Sequence, residues 1–177
     1  SEEMTENYTV GLINVSVAGA KIELWDKTAY KEYIDSERDW MKAIVKEYDG
    51  CPYQRLLEMA RIAQKDGVIK GMLVHQGESN SEDPEWPKKL AKIHDDLCRD
   101  LGLNPADIPL LAGELKYQEA DGVCWAFNRD ILPHLPEVLP NAHIISAMGC
   151  ESTGDQFHFS TEGMRLLGSR YADKMLE

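Results

Sequence analysis

The stretch VIKGMLVH, residues 68–75, running directly into QGESN, residues 76–80, decides the fold. A short apolar run with β-branched residues that stops at a polar, Gly-bearing loop has the composition of a buried parallel strand. Working outward, three more runs have the same form. VGLINVSV (Val10–Val17) ends at Ala18, Gly19 and Ala20, IPLLA (Ile108–Ala112) at Gly113 and Glu114, and AHIIS (Ala142–Ser146) at Ala147, Met148 and Gly149. Helical patterns lie between them. Pro52–Lys65 puts Leu56, Met59, Ala60 and Ala63 on one face, and Trp86–Leu101 does the same with Leu90, Ile93, Leu97 and Leu101. Asn128–Leu135 is a shorter candidate. Thr161–Leu176 opens with Thr161 as a cap and Glu162 in its first turn, with Leu166, Leu167, Tyr171 and Met175 as the expected buried stripe. Strand alternating with helix predicts one α/β domain over residues 1–177, a parallel sheet with helices on both faces and ligands beyond the carboxyl ends of the strands. Trp25–Gly50 is expected as one long connection that covers or lines the site.

Composition narrows the function. The 177 residues are 43% hydrophobic, which excludes disorder, and 31 Asp+Glu against 19 Lys+Arg leave a net charge of −12. With the cations scattered, that charge argues against nucleic acid as a partner. No apolar run approaches the roughly 20 residues of a membrane span. A neutral or small ligand fits better. Cys51, Cys98, Cys124 and Cys150 have no metal-ligand spacing and read as small buried hydrophobes, with one or two disulfides as the minority alternative. Ser1–Tyr8 is polar and lacks a signal-peptide pattern, which reads as a mature end or an internal cut.

Two loops concentrate chemistry. His75-Gln76-Gly77-Glu78-Ser79-Asn80 gathers an imidazole, two amides, a carboxylate and a hydroxyl at a strand's carboxyl end; the alternative is a polar turn satisfying its own backbone. Gly154-Asp155-Gln156-Phe157-His158-Phe159-Ser160 precedes the last helix. Three-residue spacing lets the Asp155 carboxylate meet one His158 nitrogen if the loop curls, fixing the tautomer while the other nitrogen faces a nucleophile. The alternative is that His158 bonds locally and Asp155 only begins a turn. No nucleophile announces itself: Ser16 reads as a strand residue, Ser79 lies within its loop, Ser160 opens a helix, and Cys150 stands five residues before Asp155. Trp25, Trp40, Trp86 and Trp125 are more readily core or rim than sugar-stacking platforms.

The Gly-bearing end of Val10–Val17, the HQGESN loop, and DQFHF followed by STEGMRLLGSRYADKM together resemble an SGNH-type carbohydrate esterase of the sialate O-acetylesterase and acetylxylan esterase group. The resemblance implies a three-layer α/β/α, flavodoxin-like sheet and removal of O-acetyl groups from carbohydrate by Ser-His-Asp acyl-enzyme chemistry, with no metal or cofactor. It implies His158 as general base and Asp155 as its orienter, Gly19 and Gln76 at the oxyanion, and Glu78 as a residue that orders its loop. The family's first strand and GQSN-like loop are not in these 177 residues. The resemblance therefore implies that the central strand, between Val10–Val17 and the His75 strand, and the nucleophilic Ser come from an N-terminal fragment or a second chain. The alternatives are an inactive sugar-binding remnant of the same fold and a thiol hydrolase using Cys150. By family analogy the expected location is secreted or periplasmic.

Overall fold

The computed structural model describes residues 9–116, 122–155 and 157–177. Helices α1 (Tyr30–Ser36), α2 (Asp39–Glu47) and α3 (Pro52–Ala63) precede strand β1 (Met72–Val74), followed by α4 (Trp86–Leu101) and β2 (Leu110–Gly113). Then come α5 (Val123–Asp130), α6 (Leu135–Val138), β3 (Ala142–Ile145) and α7 (Thr161–Leu176). Among the described residues the sheet is three-stranded and parallel in the order β1-β2-β3, with Met72 opposite Leu110 and Leu111 opposite His143.

Strand β2 is buried along its whole length, and its alternating side chains divide the core in two. Leu110 and Ala112 join Trp86, Leu90, Leu97, Phe127 and Leu135 in the larger cluster, while Leu111 joins Ile145, Phe159, Leu167 and Tyr171 beneath α7. Helices thus cover both faces in an α/β/α arrangement. Helix α4 occupies its expected span, burying Leu90, Ile93 and Leu97, and Gly102 ends it in the left-handed region at φ 68°, where Leu103 N–H bonds the Cys98 carbonyl at 2.8 Å. His94 is fully buried on α4, bonded through Nε2 to the Ile108 carbonyl at 2.8 Å.

Several expectations shift. Val10–Val17 is not a strand: it is irregular, and Leu12 is 80% exposed. A β-branched apolar run becomes a strand only when another strand satisfies its backbone, and none of the described strands lies beside it. The His75 strand contracts to Met72–Val74, leaving Val68 in solvent. Trp25–Gly50 is not a long loop but holds α1 and α2, whose Tyr33, Met41 and Val45 close a separate core over Val17, Ala20 and Leu24. Asn128–Leu135 is split, because Pro133 and Pro136 cannot extend an α-helix from upstream: α5 ends at Asp130 and α6 begins at Leu135. The cap of α7 is Ser160, one residue earlier than Thr161, its hydroxyl accepting from Gly163 N–H at 3.1 Å, and Leu166 points outward.

The segment leading into the helical pair is tied to α4 by charge. Lys92 bridges Asp26 at 2.8 Å and Asp96 at 3.0 Å, Lys27 reaches Asp100 at 2.8 Å, and Lys89 joins Glu23 and Asp83, each at 2.6 Å. Burial would raise the Asp26, Glu23, Asp83 and Asp96 carboxyls, but bonds from these lysines and from Thr28 or Asn80 outweigh it and hold them below their ordinary values.

Candidate active site

The polar loops expected at the carboxyl ends of the strands are there. Beyond β1, the HQGESN loop turns at Gly77, where a Cβ would stand 2.6 Å from the buried Phe127 ring of α5. Gln76 and Asn80 are consumed by structure. The Gln76 carboxamide oxygen accepts from the Trp86 indole at 2.6 Å, and its nitrogen donates to the Ala20 carbonyl at 3.1 Å and to Asn80 Oδ1 at 2.8 Å. Asn80, 3% exposed, also accepts Ile22 N–H at 2.9 Å and donates to Glu23 and Asp83. Both amide hydrogens of Gln76 are thus engaged, so service as an oxyanion donor requires one of them to be released. Ordering of the loop, expected of Glu78, falls to Gln76 and Asn80; Glu78 makes no hydrogen bond among the described residues. Its charge is felt by His75 and by the Cys124 thiol.

Gly19 meets this loop from the Val10–Val17 side. It adopts φ +71°, its carbonyl accepts from Ser79 Oγ at 2.8 Å, and its N–H bonds nothing among the described residues. Gly19, Gln76 and Glu78 are therefore gathered in one neighbourhood.

The second group lies beyond β3. The turn before α7 curls as the spacing requires, bringing His158 Nδ1 to 2.7 Å from Asp155 Oδ2. Asp155 Oδ1 accepts the backbone N–H groups of Phe157 at 2.8 Å and His158 at 2.7 Å. Those two main-chain donors and the imidazole hold the Asp155 carboxyl well below the usual carboxylate range. An ionised Asp155 fixes Nδ1 as the protonated nitrogen. Nε2 has no partner among the described residues, and the side chain is 74% exposed. The base of the turn is pinned by the Ser152–Phe159 bridge, by Ser160 N–H on the Glu151 carbonyl at 2.9 Å, and by Ser160 Oγ on the Glu151 carboxylate at 2.9 Å.

The two loops meet at His75 and Phe159, whose rings pack edge to face with centroids 5.7 Å apart. His75 is crowded by protein atoms yet open to solvent on one side. The crowding lowers its pKa, and the Glu78 charge partly offsets this. No hydrogen bond joins His158 to Gly19, Gln76 or Glu78. Two charged residues escaped the sequence reading. Glu114 accepts from Ser146 Oγ and Ala147 N–H, each at 2.8 Å, tying the ends of β2 and β3, and the buried Lys116 donates to the Asp155 carbonyl. Only their position just past IPLLA could have marked them.

The serines considered as nucleophiles are occupied elsewhere: Ser16 Oγ donates to Asn14, Ser79 Oγ to Gly19 and Ser160 Oγ to Glu151. Cys150 takes a contact from Arg170 at 3.7 Å, and none of the four cysteines is in a disulfide. Burial pushes the Cys98 and Cys124 thiols each up to about 11. Trp86 is fully buried and Arg129 lies 4.0 Å over the Trp125 ring, which removes both as open sugar platforms. No group of three or more metal-ligating side chains occurs among the described residues.

A parallel sheet between helix layers, with polar loops at its carboxyl edge, is an SGNH-like α/β/α fold. Residues 1–177 match the family described as carbohydrate esterase, sialic acid-specific acetylesterase (SASA), and the chain belongs to that family. It is also similar in fold to a protein from Arabidopsis thaliana known from a 1.6 Å X-ray structure, with 23% sequence identity and a TM-score of 0.58. The similarity covers 75% of this chain and 56% of the plant protein, so the chain spans little more than half that protein's length.

Proposed function

We propose that this chain carries the base-and-orienter half of an acyl-enzyme site that removes O-acetyl groups from carbohydrate, acetylxylan or sialate in type. The observation that carries the reading is the Asp155–His158 pair, 2.7 Å apart, with the second imidazole nitrogen open to solvent at the carboxyl edge of the sheet. A neutral imidazole so held takes a proton from a serine hydroxyl as the hydroxyl attacks the acetyl carbonyl. It returns that proton to the leaving sugar oxygen, and the ionised Asp155 stabilises the imidazolium between the two steps. The Gly19 N–H is the free backbone donor for the developing oxyanion.

The nucleophilic serine comes from a segment outside these 177 residues, an N-terminal piece or a separate chain that pairs with β1. Three observations support this: the serines considered are bonded elsewhere, and among the described residues β1 is an edge strand with Leu73 49% exposed and Val10–Val15 has no strand to lie against. The test is release of acetate from an aryl acetate and from acetylated xylan and sialate, by the chain alone and by the product of its gene read from further upstream. Hydrolysis by the longer product only is expected. Hydrolysis by the 177 residues alone overturns the external serine, and none by either product leaves a sugar-binding remnant.

A further inference from the structure

Lys116 stands three residues past the end of β2, 8% exposed, where a lysine is rarely found unless its ammonium has acceptors. The ammonium donates to the main-chain carbonyl of Asp155, 39 residues further along the chain. Among the described residues this is the side-chain bond that reaches the tip of the 154–158 turn from the sheet. The other polar contacts of the turn are made within itself: Asp155 with Phe157 N–H and His158, and Thr153 N–H with the His158 carbonyl at 3.1 Å. Such contacts do not fix the attitude of the turn to the sheet and, being exposed, do not hold its shape on their own. An exposed ion pair is worth only about 0–1 kcal/mol, so the Asp155–His158 pair cannot fix that attitude either. Phe159, buried against His75, anchors one end of the turn. Lys116 anchors the other.

We propose that Lys116 is a positioning residue, its buried ammonium clamping the Asp155 carbonyl so that the turn holds His158 with Nδ1 on the carboxylate and Nε2 aimed across the carboxyl edge of the sheet. A charge-assisted hydrogen bond is the stronger kind, and a lysine's long stem delivers a point charge where an arginine fork would need more room. The Cys124 thiol, on the helix packed against the Glu78–Asn80 turn, feels both the Glu78 carboxylate and the Lys116 ammonium. The inference rests on the reading of His158 and Asp155 as base and orienter.

The experiment compares Lys116→Met and Lys116→Arg with the unaltered chain by NMR, following backbone amide exchange at Phe157 and His158 and the ring-nitrogen shifts that report the His158 tautomer. In Lys116→Met both amides exchange faster, by about 10-fold or more, and the Nδ1-protonated tautomer loses population, while the melting temperature is held or rises because a buried charge has gone. Lys116→Arg recovers part of both signals. On an aryl acetate, in the hydrolytically competent form, Lys116→Met lowers kcat about 10-fold with KM kept. Unchanged amide exchange and tautomer in Lys116→Met overturn the proposal. If Lys116→Met does not fold, Lys116→Gln, with a shorter neutral donor, is read by the same signals and the same criterion. Absence of hydrolysis in every form defeats the esterase reading alone, since the NMR signals still decide the clamp.

Discussion

The HQGESN loop and the GDQFH turn look alike in sequence, each a dense polar group after a strand, yet they do opposite things with their side chains. Gln76 and Asn80 spend every hydrogen-bonding atom inside the protein, joining Ala20, Ile22, Glu23, Asp83 and Trp86. Asp155 and His158 stay at the surface, bonded mainly to their own turn, with Nε2 unbonded among the described residues. A polar cluster inside is a joint. A polar pair held outside, with one nitrogen unbonded among the described residues, is open to an incoming group. The difference is one of burial: Asn80 is 3% exposed and bonded to Ile22 and Glu23, and Gln76 to the fully buried Trp86, whereas the His158 side chain is 74% exposed.

The sharpest break in this contrast is His158→Ala. It should cut ester hydrolysis by about 10³-fold or more, measured on an aryl acetate with the competent form, and change the melting temperature little because the side chain is 74% exposed. Asp155→Asn should follow, with a loss on the order of 10²–10⁴-fold through the wrong tautomer. In the other loop the effect falls on stability. Asn80→Ala should cost about 2–4 kcal/mol in denaturant unfolding, because it strands the buried Ile22 N–H and frees the Gln76 amide.

Gln76→Ala sharpens the comparison. A joint predicts a loss of about 1–3 kcal/mol of stability from the unpaired Trp86 indole, while an oxyanion donor predicts a rate loss of about 10²-fold at unchanged stability. The smallest effect is acid sensitivity of the charged tie between the segment leading into the helical pair and α4. The folded carboxyls of Glu23, Asp26, Asp83 and Asp96 lie below their unfolded values. Their stabilisation is therefore complete above about pH 5 and lost as pH falls through 4 and below. Unfolding midpoints compared between pH 7 and pH 3.5 should fall, and Lys92→Met should flatten that fall.

Much of the fold was legible because it is local or periodic. Trp86–Leu101 and Thr161–Leu176 carry their helical spans in sequence, though the cap of the second is Ser160 and its Leu166 faces outward, and the runs feeding β2 and β3 are short, apolar and closed by glycine or polar residues. Asp155 and His158 were legible for the same reason, being three residues apart and able to meet within one turn. What was not legible depended on neighbours. Val10–Val17 has the composition of a strand, but a strand exists only in a ladder. Trp25–Gly50, polar on average, hides the apolar face that Tyr33, Met41 and Val45 share only once two helices fold together.

By itself, then, the sequence determined the alternation of strand and helix, the polar character of the loops at the strand ends, and a carboxylate paired with an imidazole. Those follow from periodicity and short-range spacing, which the backbone geometry of each element imposes without reference to the rest of the chain. Only the tertiary structure decided that Gln76 is bonded out, that Glu114 and Lys116 tie the loops to the sheet, and that His158 Nε2 is unbonded among the described residues. These depend on which atoms from distant segments arrive within about 3 Å of one another, and hydrogen bonds and burial are set at that range.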